Sequence, residues 1–143
     1  KWNKKQIVSY TPRYGLVLIQ IQVFIIYWHT VIQKLGDHYW AKGESITYFL
    51  LSHHARFTGS WPIAWHDLLD KINYLTLIIE LAIPVLLCIR NTRKLGLWLG
   101  IGLHLSITIL GINLALFSLT MIASYLAFID PWVTHSKLIN SSK

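Results

Sequence analysis

Three side chains able to exchange protons lie within or at the edge of apolar segments of this sequence. Glu80 and His104 occur inside such segments, and Lys34 ends the one that begins at Tyr14. Ionisable groups at membrane depth are costly and usually face protein or a water-filled cavity. A lysine at this position ordinarily extends toward lipid headgroups, but one turned inward would lose its water and become a usable base at neutral pH. Lys34 and His104 are therefore the candidate catalytic residues.

The glutamate and the histidine each have a structural alternative. Glu80 is either an acid or cation partner in a cavity, or a carboxyl group that is protonated or hydrogen-bonded to a neighbouring helix. His104 is either a proton acceptor or substrate ligand, or a neutral imidazole hydrogen-bonded across helices. Another helix would be able to approach His104 closely at Gly96, Gly100 and Gly102. The sequence leaves both alternatives open.

Polar side chains also follow one face of the first apolar segment. Gln22, His29 and Gln33 are spaced by seven and four residues, which places them on the same side of a helix and leads toward Lys34. This spacing predicts either a polar seam between helices or a path for a substrate. Trp40 follows closely and would cover the mouth of a site at Lys34. The residues predicted to bind the ligand are therefore Glu80, Trp40 and His29.

The other potential metal ligands do not form a recognisable motif. His53, His54 and His66 have no H-x-x-x-H spacing and no carboxylate partner, so the sequence predicts no metal site. Cys88 is the only cysteine of the chain, which excludes an internal disulfide and a cysteine-based zinc site.

The composition is that of an integral membrane protein. Of the 143 residues, 54% are hydrophobic and 13% are charged, against roughly 25% charged in soluble domains. The seven Trp and seven Tyr suit the interfaces of a bilayer. The net charge of +7 does not indicate nucleic-acid binding, because the basic residues flank apolar segments, where they meet anionic lipid. The lipid bilayer is thus the predicted partner, and nucleic acid is not.

The apolar segments predict an all-α fold, a polytopic bundle of about four membrane-spanning helices. Because about 20 apolar residues cross a bilayer, spans are predicted near 14–33, 72–89, 95–111 and 114–129. The last two are divided at a turn over 111–113, since 95–129 is too long for one crossing. Short interfacial helices are predicted at 45–52 and from residue 60 into the second span. Residues 1–143 form a single membrane domain in this interpretation, and we expect them to be part of a longer protein.

The distribution of charge predicts the orientation of these spans. The N-terminal flank, the connection at 90–94 and the C-terminal tail are basic, whereas the connection at 34–71 carries equal numbers of basic and acidic residues. Cytoplasmic segments carry the excess of Lys and Arg. The N-terminus and the C-terminus are therefore predicted to be cytoplasmic, and 34–71 to be extracytoplasmic. Lys34 then lies at the outer end of the first span.

Several collinear segments resemble a known family. They are IQIQVFIIYWHTVIQKLGDHYWAKGESITYFL, ELAIPVLL, RNTRKLGLWLGIGLHLSI and FSLTMIASYLAFIDP, and they resemble the HTTM domain, the membrane module shared by vitamin K-dependent gamma-carboxylase and many bacterial proteins. The pattern appears as Lys34-Leu35, Asp37, Trp40, Gly43 and Ser45, and the resemblance extends over 13–131. It implies a bacterial member located in the inner membrane, the later part of an HTTM domain, and a helical bundle whose reactive face opens to the lumenal or extracytoplasmic side.

The resemblance also implies a chemistry. In the carboxylase, the lysine matched by Lys34 is the base that deprotonates reduced vitamin K, and the histidine matched by His104 is implicated as well. A reduced quinone is the cofactor that the resemblance implies. Gln33 stands where the carboxylase has a second lysine, and its large lumenal domain has no counterpart in these 143 residues. The resemblance therefore indicates the scaffold more strongly than the carboxylation of glutamates.

Two classes of function follow from the sequence. The first is a membrane enzyme that acts on a quinone-like or other lipid substrate, with Lys34 as base and with His104 and Glu80 shaping or protonating the cavity. The second is a non-catalytic subunit or scaffold of a larger membrane complex. A narrower version of it is a membrane component of toxin-peptide maturation or export, since some bacteriocin systems carry an HTTM-like protein. The subunit hypothesis predicts that hydrogen bonds cap His104 and Glu80.

Overall fold

All regular secondary structure in the described part of the chain is helical. The computed structural model describes residues 14–129. Its elements are α1 (Tyr14–Gly36), α2 (His38–Ala41), α3 (Ser45–Leu51), α4 (Trp61–Ala64), α5 (His66–Cys88), α6 (Arg93–Leu110), α7 (Ala115–Ser124) and a 3-10 helix (Tyr125–Phe128). Across this range the only β-type pairing is one isolated bridge, between Ala55 and Gly111. The predicted all-helical fold is confirmed.

Among residues 14–129, two helices are long and apolar enough to cross a membrane, α1 and α5. Each has 23 residues and is about 34 Å long at 1.5 Å per residue, against a hydrocarbon core of about 30 Å. α6 begins with the basic residues Arg93 and Lys94, and the apolar helix that runs from Ala115 to Phe128 is shorter. The count of four spans stays a prediction. The basic N-terminal flank and C-terminal tail that predict the orientation lie outside the described residues.

The segment before α5 differs from its predicted form. Trp65 has φ −108° and ψ 15°, outside the helical range, so the helix predicted from residue 60 divides into the short α4 and the start of α5. Pro62 lies in the first turn of α4, where its missing N–H costs nothing. Asp67 lies in the first turn of α5, where a carboxylate is favoured by the helix dipole. α5 therefore begins at His66, ahead of the predicted second span at 72.

One apolar cluster joins α1, α5, α7 and the 3-10 helix, and residues of α6 pack against it. A Cβ at Gly100 of α6 would lie 2.6 Å from the ring of Tyr125, and a Cβ at Gly96 would lie 3.1 Å from the backbone nitrogen of Leu87. These two glycines therefore allow α6 to pack closely against the 3-10 helix and α5. At Gly102, no atom of residues 14–129 lies within 4 Å of the Cβ position. The buried members of the cluster are Val23, Tyr27, Ile83, Leu87, Met121, Tyr125, Ala127 and Phe128.

The connection between α3 and α4 is tied to the turn between α6 and α7. The backbone N–H of Arg56 donates to Leu110 at 2.8 Å, and that of Ile112 donates to His54 at 2.8 Å. The Arg56 guanidinium also donates to the carbonyl groups of Thr108 and Ile109 at the end of α6, at 3.3 Å and 3.1 Å. The turn at 111–113 and the connection at 52–60 therefore lie at the same end of the bundle.

Candidate functional site

Lys34 lies near the end of α1, and its side chain turns into the bundle. Its Nζ atom donates hydrogen bonds to both carboxylate oxygens of Glu80 on α5, at 2.6 Å and 2.8 Å. The Lys34 side chain is 18% exposed and that of Glu80 is 6% exposed. Charge-assisted hydrogen bonds of this kind are short and strong. The amine is thus bound inside the protein rather than extended toward the headgroups, and it joins α1 to α5.

The indole ring of Trp40 lies over the same amine. The Nζ atom of Lys34 is 4.1 Å from the ring centroid, within the range of a cation–π interaction. The ring is positioned by α2, whose N-terminus is capped by Asp37: its carboxylate accepts hydrogen bonds from the backbone N–H groups of Tyr39 and Trp40. The buried Asn73 of α5 donates to the Trp40 carbonyl at 3.1 Å. Asp37, the acidic residue shortly after Lys34, therefore caps the start of the helix whose Trp40 ring covers the amine.

The chain that follows α2 packs against α5 at a glycine. Gly43 has φ 85°, and a Cβ there would lie 3.1 Å from the ring of Tyr74. The left-handed conformation and the close approach both favour glycine. The hydroxyl group of Tyr74 donates to the carbonyl of Ala41 at 2.9 Å. α2 is therefore attached to α5 by hydrogen bonds at Trp40 and Ala41 and by the close approach at Gly43, which together hold Trp40 in place.

His104 belongs to a second, separate cluster with two tyrosines. Its Nε2 atom is 3.1 Å from the hydroxyl oxygen of Tyr27, and that hydroxyl is also hydrogen-bonded to the hydroxyl of Tyr125. All three side chains are buried. The ring of Phe117 packs edge-on against the imidazole, with 5.6 Å between centroids. Among the described residues, the Nδ1 atom of His104 has no hydrogen-bond partner.

The two candidate catalytic residues therefore bind different partners at different depths. Tyr27 and Lys34 are two helical turns apart on the same face of α1, about 10 Å along the helix axis at 1.5 Å per residue. Lys34 binds Glu80 and Trp40, whereas His104 binds Tyr27. Glu80 is hydrogen-bonded to Lys34 of the neighbouring α1, an arrangement that both of its interpretations allow. The imidazole is hydrogen-bonded across helices, as the structural alternative for His104 describes.

His29 lies away from both clusters. The buried residues of α1 are Val23, Tyr27 and Val31, whereas His29 is exposed. Its Nε2 atom accepts a hydrogen bond from the Gln33 amide at 2.9 Å. Of the three residues predicted to bind a ligand, Glu80 and Trp40 therefore meet at Lys34, and His29 does not.

The sequence reasoning did not find Tyr27 and Tyr125. Each occurs in an apolar segment without a charge beside it, where a tyrosine is indistinguishable from a membrane-interface residue. The available signal was spacing, because Tyr27 shares a helix face with Lys34. A buried tyrosine hydroxyl also needs a hydrogen-bond partner, and that need is met here by a neighbouring helix.

The histidines of the outer connection take part in local contacts. The Nδ1 atom of His66 lies 3.2 Å from the hydroxyl oxygen of Thr47 and 3.4 Å from a carboxylate oxygen of Asp70. The prediction that this histidine has no carboxylate partner is therefore wrong, because Asp70 lies one helical turn further along α5. The rings of His53 and His54 pack on each other, 3.8 Å between centroids. Within residues 14–129, no group of three or more His, Cys, Asp or Glu side chains is placed to hold a metal ion.

A cavity of about 330 Å³ opens at the other end of α1. It is mainly apolar, and its two polar side chains already bond to the backbone: Gln20 donates to Ala127 at 2.7 Å, and Arg93 donates to Phe128 at 3.1 Å. The cavity is far from the amine of Lys34 along the chain of α1. Its apolar lining includes Val17, Ile21, Phe24, Leu87, Cys88 and Phe128.

Comparison with known proteins identifies the family. A family model of the HTTM domain matches residues 1–132. The chain is 30% identical over 145 residues to sporulation-delaying protein SdpB of Bacillus subtilis (strain 168), an alignment that covers 91% of this chain and 44% of SdpB. The chain thus spans less than half the length of this curated relative. No solved structure matches the chain significantly. Since the family model covers nearly all of its residues, the chain belongs to the HTTM-domain family.

Proposed function

We propose that this chain is a non-catalytic membrane subunit that works in the maturation or export of a peptide toxin. The observation that carries the proposal is the Lys34–Glu80 pair: both hydrogen bonds of the amine go to a buried carboxylate on another helix, which is the geometry of a packing contact. The relation to a sporulation-delaying protein and the HTTM-like proteins of bacteriocin systems support the biological class.

The membrane arrangement in this proposal has four spans in a bacterial inner membrane, with both ends of the segment in the cytoplasm. α6 is about 27 Å long at 1.5 Å per residue, close to the bilayer core. The turn at 111–113 lies at the same end as the connection at 52–60, as expected if both α5 and α6, the two long helices between them, cross the bilayer. The basic cluster of Arg90, Arg93 and Lys94 lies at the opposite end, which supports a cytoplasmic position for it.

The role proposed for the ion pair is to fix how α1 sits against α5. Two charges of opposite sign at membrane depth are tolerated when they pair. Removing one leaves the other uncompensated, which costs more than replacing both by apolar groups of similar size. The pair would therefore specify one register of α1 against α5. The subunit would need this register, and it would not need the amine of Lys34 as a base.

Two strains test this function. In the first, the gene is deleted, and mass spectrometry compares the secreted peptides with those of the parent strain; we expect one processed peptide to be lost. In the second, Lys34→Met is combined with Glu80→Leu in the chromosomal gene, and we expect the peptide and the membrane level of the protein to be retained. An unchanged set of secreted peptides after deletion would rule out a role in toxin maturation or export.

A second candidate function is a membrane enzyme with Lys34 as base. It is favoured by the inward direction of the amine and by the carboxylate beside it, which would accept a proton when the amine becomes neutral. The quinone-like or lipid substrate would then meet the amine under Trp40. The same double variant separates the two functions: loss of the peptide at a normal protein level would indicate catalysis by the pair.

A further inference from the structure

Three polar residues of α1 form a stripe on its exposed side. Gln22, His29 and Gln33 are all exposed, and Gln22 lies near the middle of this candidate span. We call these three residues the polar stripe. In water such side chains would need no explanation. Within the hydrocarbon, where Gln22 lies in this placement, a polar side chain does need one, because amide groups have no hydrogen-bond partners there.

The hydrogen bond inside the stripe satisfies only part of this demand. The Gln33 amide N–H donates to the Nε2 atom of His29, so the proton of a neutral imidazole is on Nδ1. That leaves the Nδ1–H donor of His29, and the carbonyl oxygen and second amide proton of Gln33. Gln22 keeps its whole side-chain amide, since none of its polar atoms is bonded among the described residues. Donors and acceptors both remain, and the stripe carries no carboxylate or ammonium.

The residues around the stripe repeat every seven positions. Gly15, Gln22, His29 and Gly36 are spaced by seven, and the first three are each followed four positions on, at Ile19, Ile26 and Gln33. A strict seven-residue repeat is the pattern of two helices that cross at a shallow angle. No atom of the described residues lies within 4 Å of the Cβ positions of Gly15 and Gly36, so none of residues 14–129 fills the space at either end of this face.

We propose that the polar stripe is the contact between two copies of this protein, formed by α1 of each copy in parallel. An amide side chain carries donors and an acceptor, so Gln22 is complementary to Gln22 of a second copy across a two-fold axis. The free groups of His29 and Gln33 are complementary to each other in the same way. A single polar position within an apolar seam is known to set helix register and the number of helices. The inference rests on the membrane placement of α1 proposed above, and not on the role in toxin maturation.

Cysteine cross-linking in the full-length protein, in its own membranes, tests this contact. In a Cys88→Ser background, we compare Gln22→Cys with Ile21→Cys, which has the same depth but points to another side of α1. Oxidation is expected to give a reducible band of twice the monomer mass for Gln22→Cys, several-fold stronger than for Ile21→Cys. Equal bands or none would overturn the proposal. So would a cross-link from position 22 to another protein or to another part of the same polypeptide.

Co-purification of two differently tagged copies tests the contact with the polar stripe unaltered. A loss of signal then has no explanation in a misfolded variant. The second tag is expected to co-purify with the first. The Gln22→Leu substitution should then reduce the fraction of the second tag that co-purifies about threefold, which is the typical effect of one hydrogen bond between helices in a membrane. Ile25→Leu, outside the stripe, should leave it unchanged. If the tags separate completely, two copies do not associate, whatever the result of the toxin assay.

Discussion

The ring of Tyr125 occupies the space that a side chain at Gly100 would fill. A Cβ at Gly100 would lie 2.6 Å from both the Cζ atom and the hydroxyl oxygen of Tyr125. The same hydroxyl is bonded to that of Tyr27, which in turn bonds His104. One glycine on α6 therefore determines whether the buried hydroxyl groups and the imidazole can meet.

The first prediction concerns this glycine. Gly100→Ala should destabilise the protein by about 1 to 3 kcal/mol, since an added methyl group in a packed interior forces side chains or backbone to shift. Thermal unfolding of the purified protein in detergent measures the effect. Gly102→Ala is the matched control on the same helix, because no atom in the described part of the chain lies within 4 Å of its Cβ position. Equal effects of the two substitutions would contradict the proposed packing of Tyr125.

The second prediction concerns the Lys34–Glu80 pair. Lys34→Met should lower the free energy of unfolding by about 3 to 5 kcal/mol, because it leaves the Glu80 carboxylate buried without a cation. Adding Glu80→Leu should recover most of this loss, and denaturant unfolding of the single and double variants measures it. Strictly additive losses would mean that the two side chains do not interact.

The third prediction concerns the hydroxyl group shared by the buried cluster. Tyr27→Phe should cost about 1 to 3 kcal/mol, since it removes a bond from the buried His104 and another from Tyr125. Tyr48→Phe changes the same group on an exposed ring and should have little effect. The comparison requires only the unfolding temperatures of the two variants, and a neutral Tyr27→Phe would contradict the cluster.

The fourth prediction concerns the tie between Arg56 and the end of α6. Arg56→Gln should raise the rate of hydrogen exchange of the Ile112 amide, because that amide bonds to His54 in the segment that the guanidinium holds against α6. Hydrogen exchange followed by mass spectrometry of peptides over 111–113 measures it. Lys71→Gln, another exposed basic residue near this end, should leave exchange unchanged. Slow exchange in both variants would show that the backbone bonds alone hold the turn.

The sequence and the structure differ most in the interpretation of the polar residues on α1. Spacing places Gln22, His29 and Gln33 on one helix face correctly, because that follows from helix geometry alone. Spacing does not say where this face points. The structure turns it away from the bundle, while Lys34, near the same end of the helix, turns inward.

The sequence by itself determined the class of the fold, the family and the identity of the polar residues that a membrane bundle must accommodate. These follow from local composition, from periodicity and from collinear motifs. Only the tertiary structure decided which polar groups meet. The reason is that the partners are remote in the chain: Lys34 and Glu80 are 46 residues apart, and Tyr27 and Tyr125 are 98 apart. Packing of separate helices, and not local propensity, brings such groups within hydrogen-bond distance.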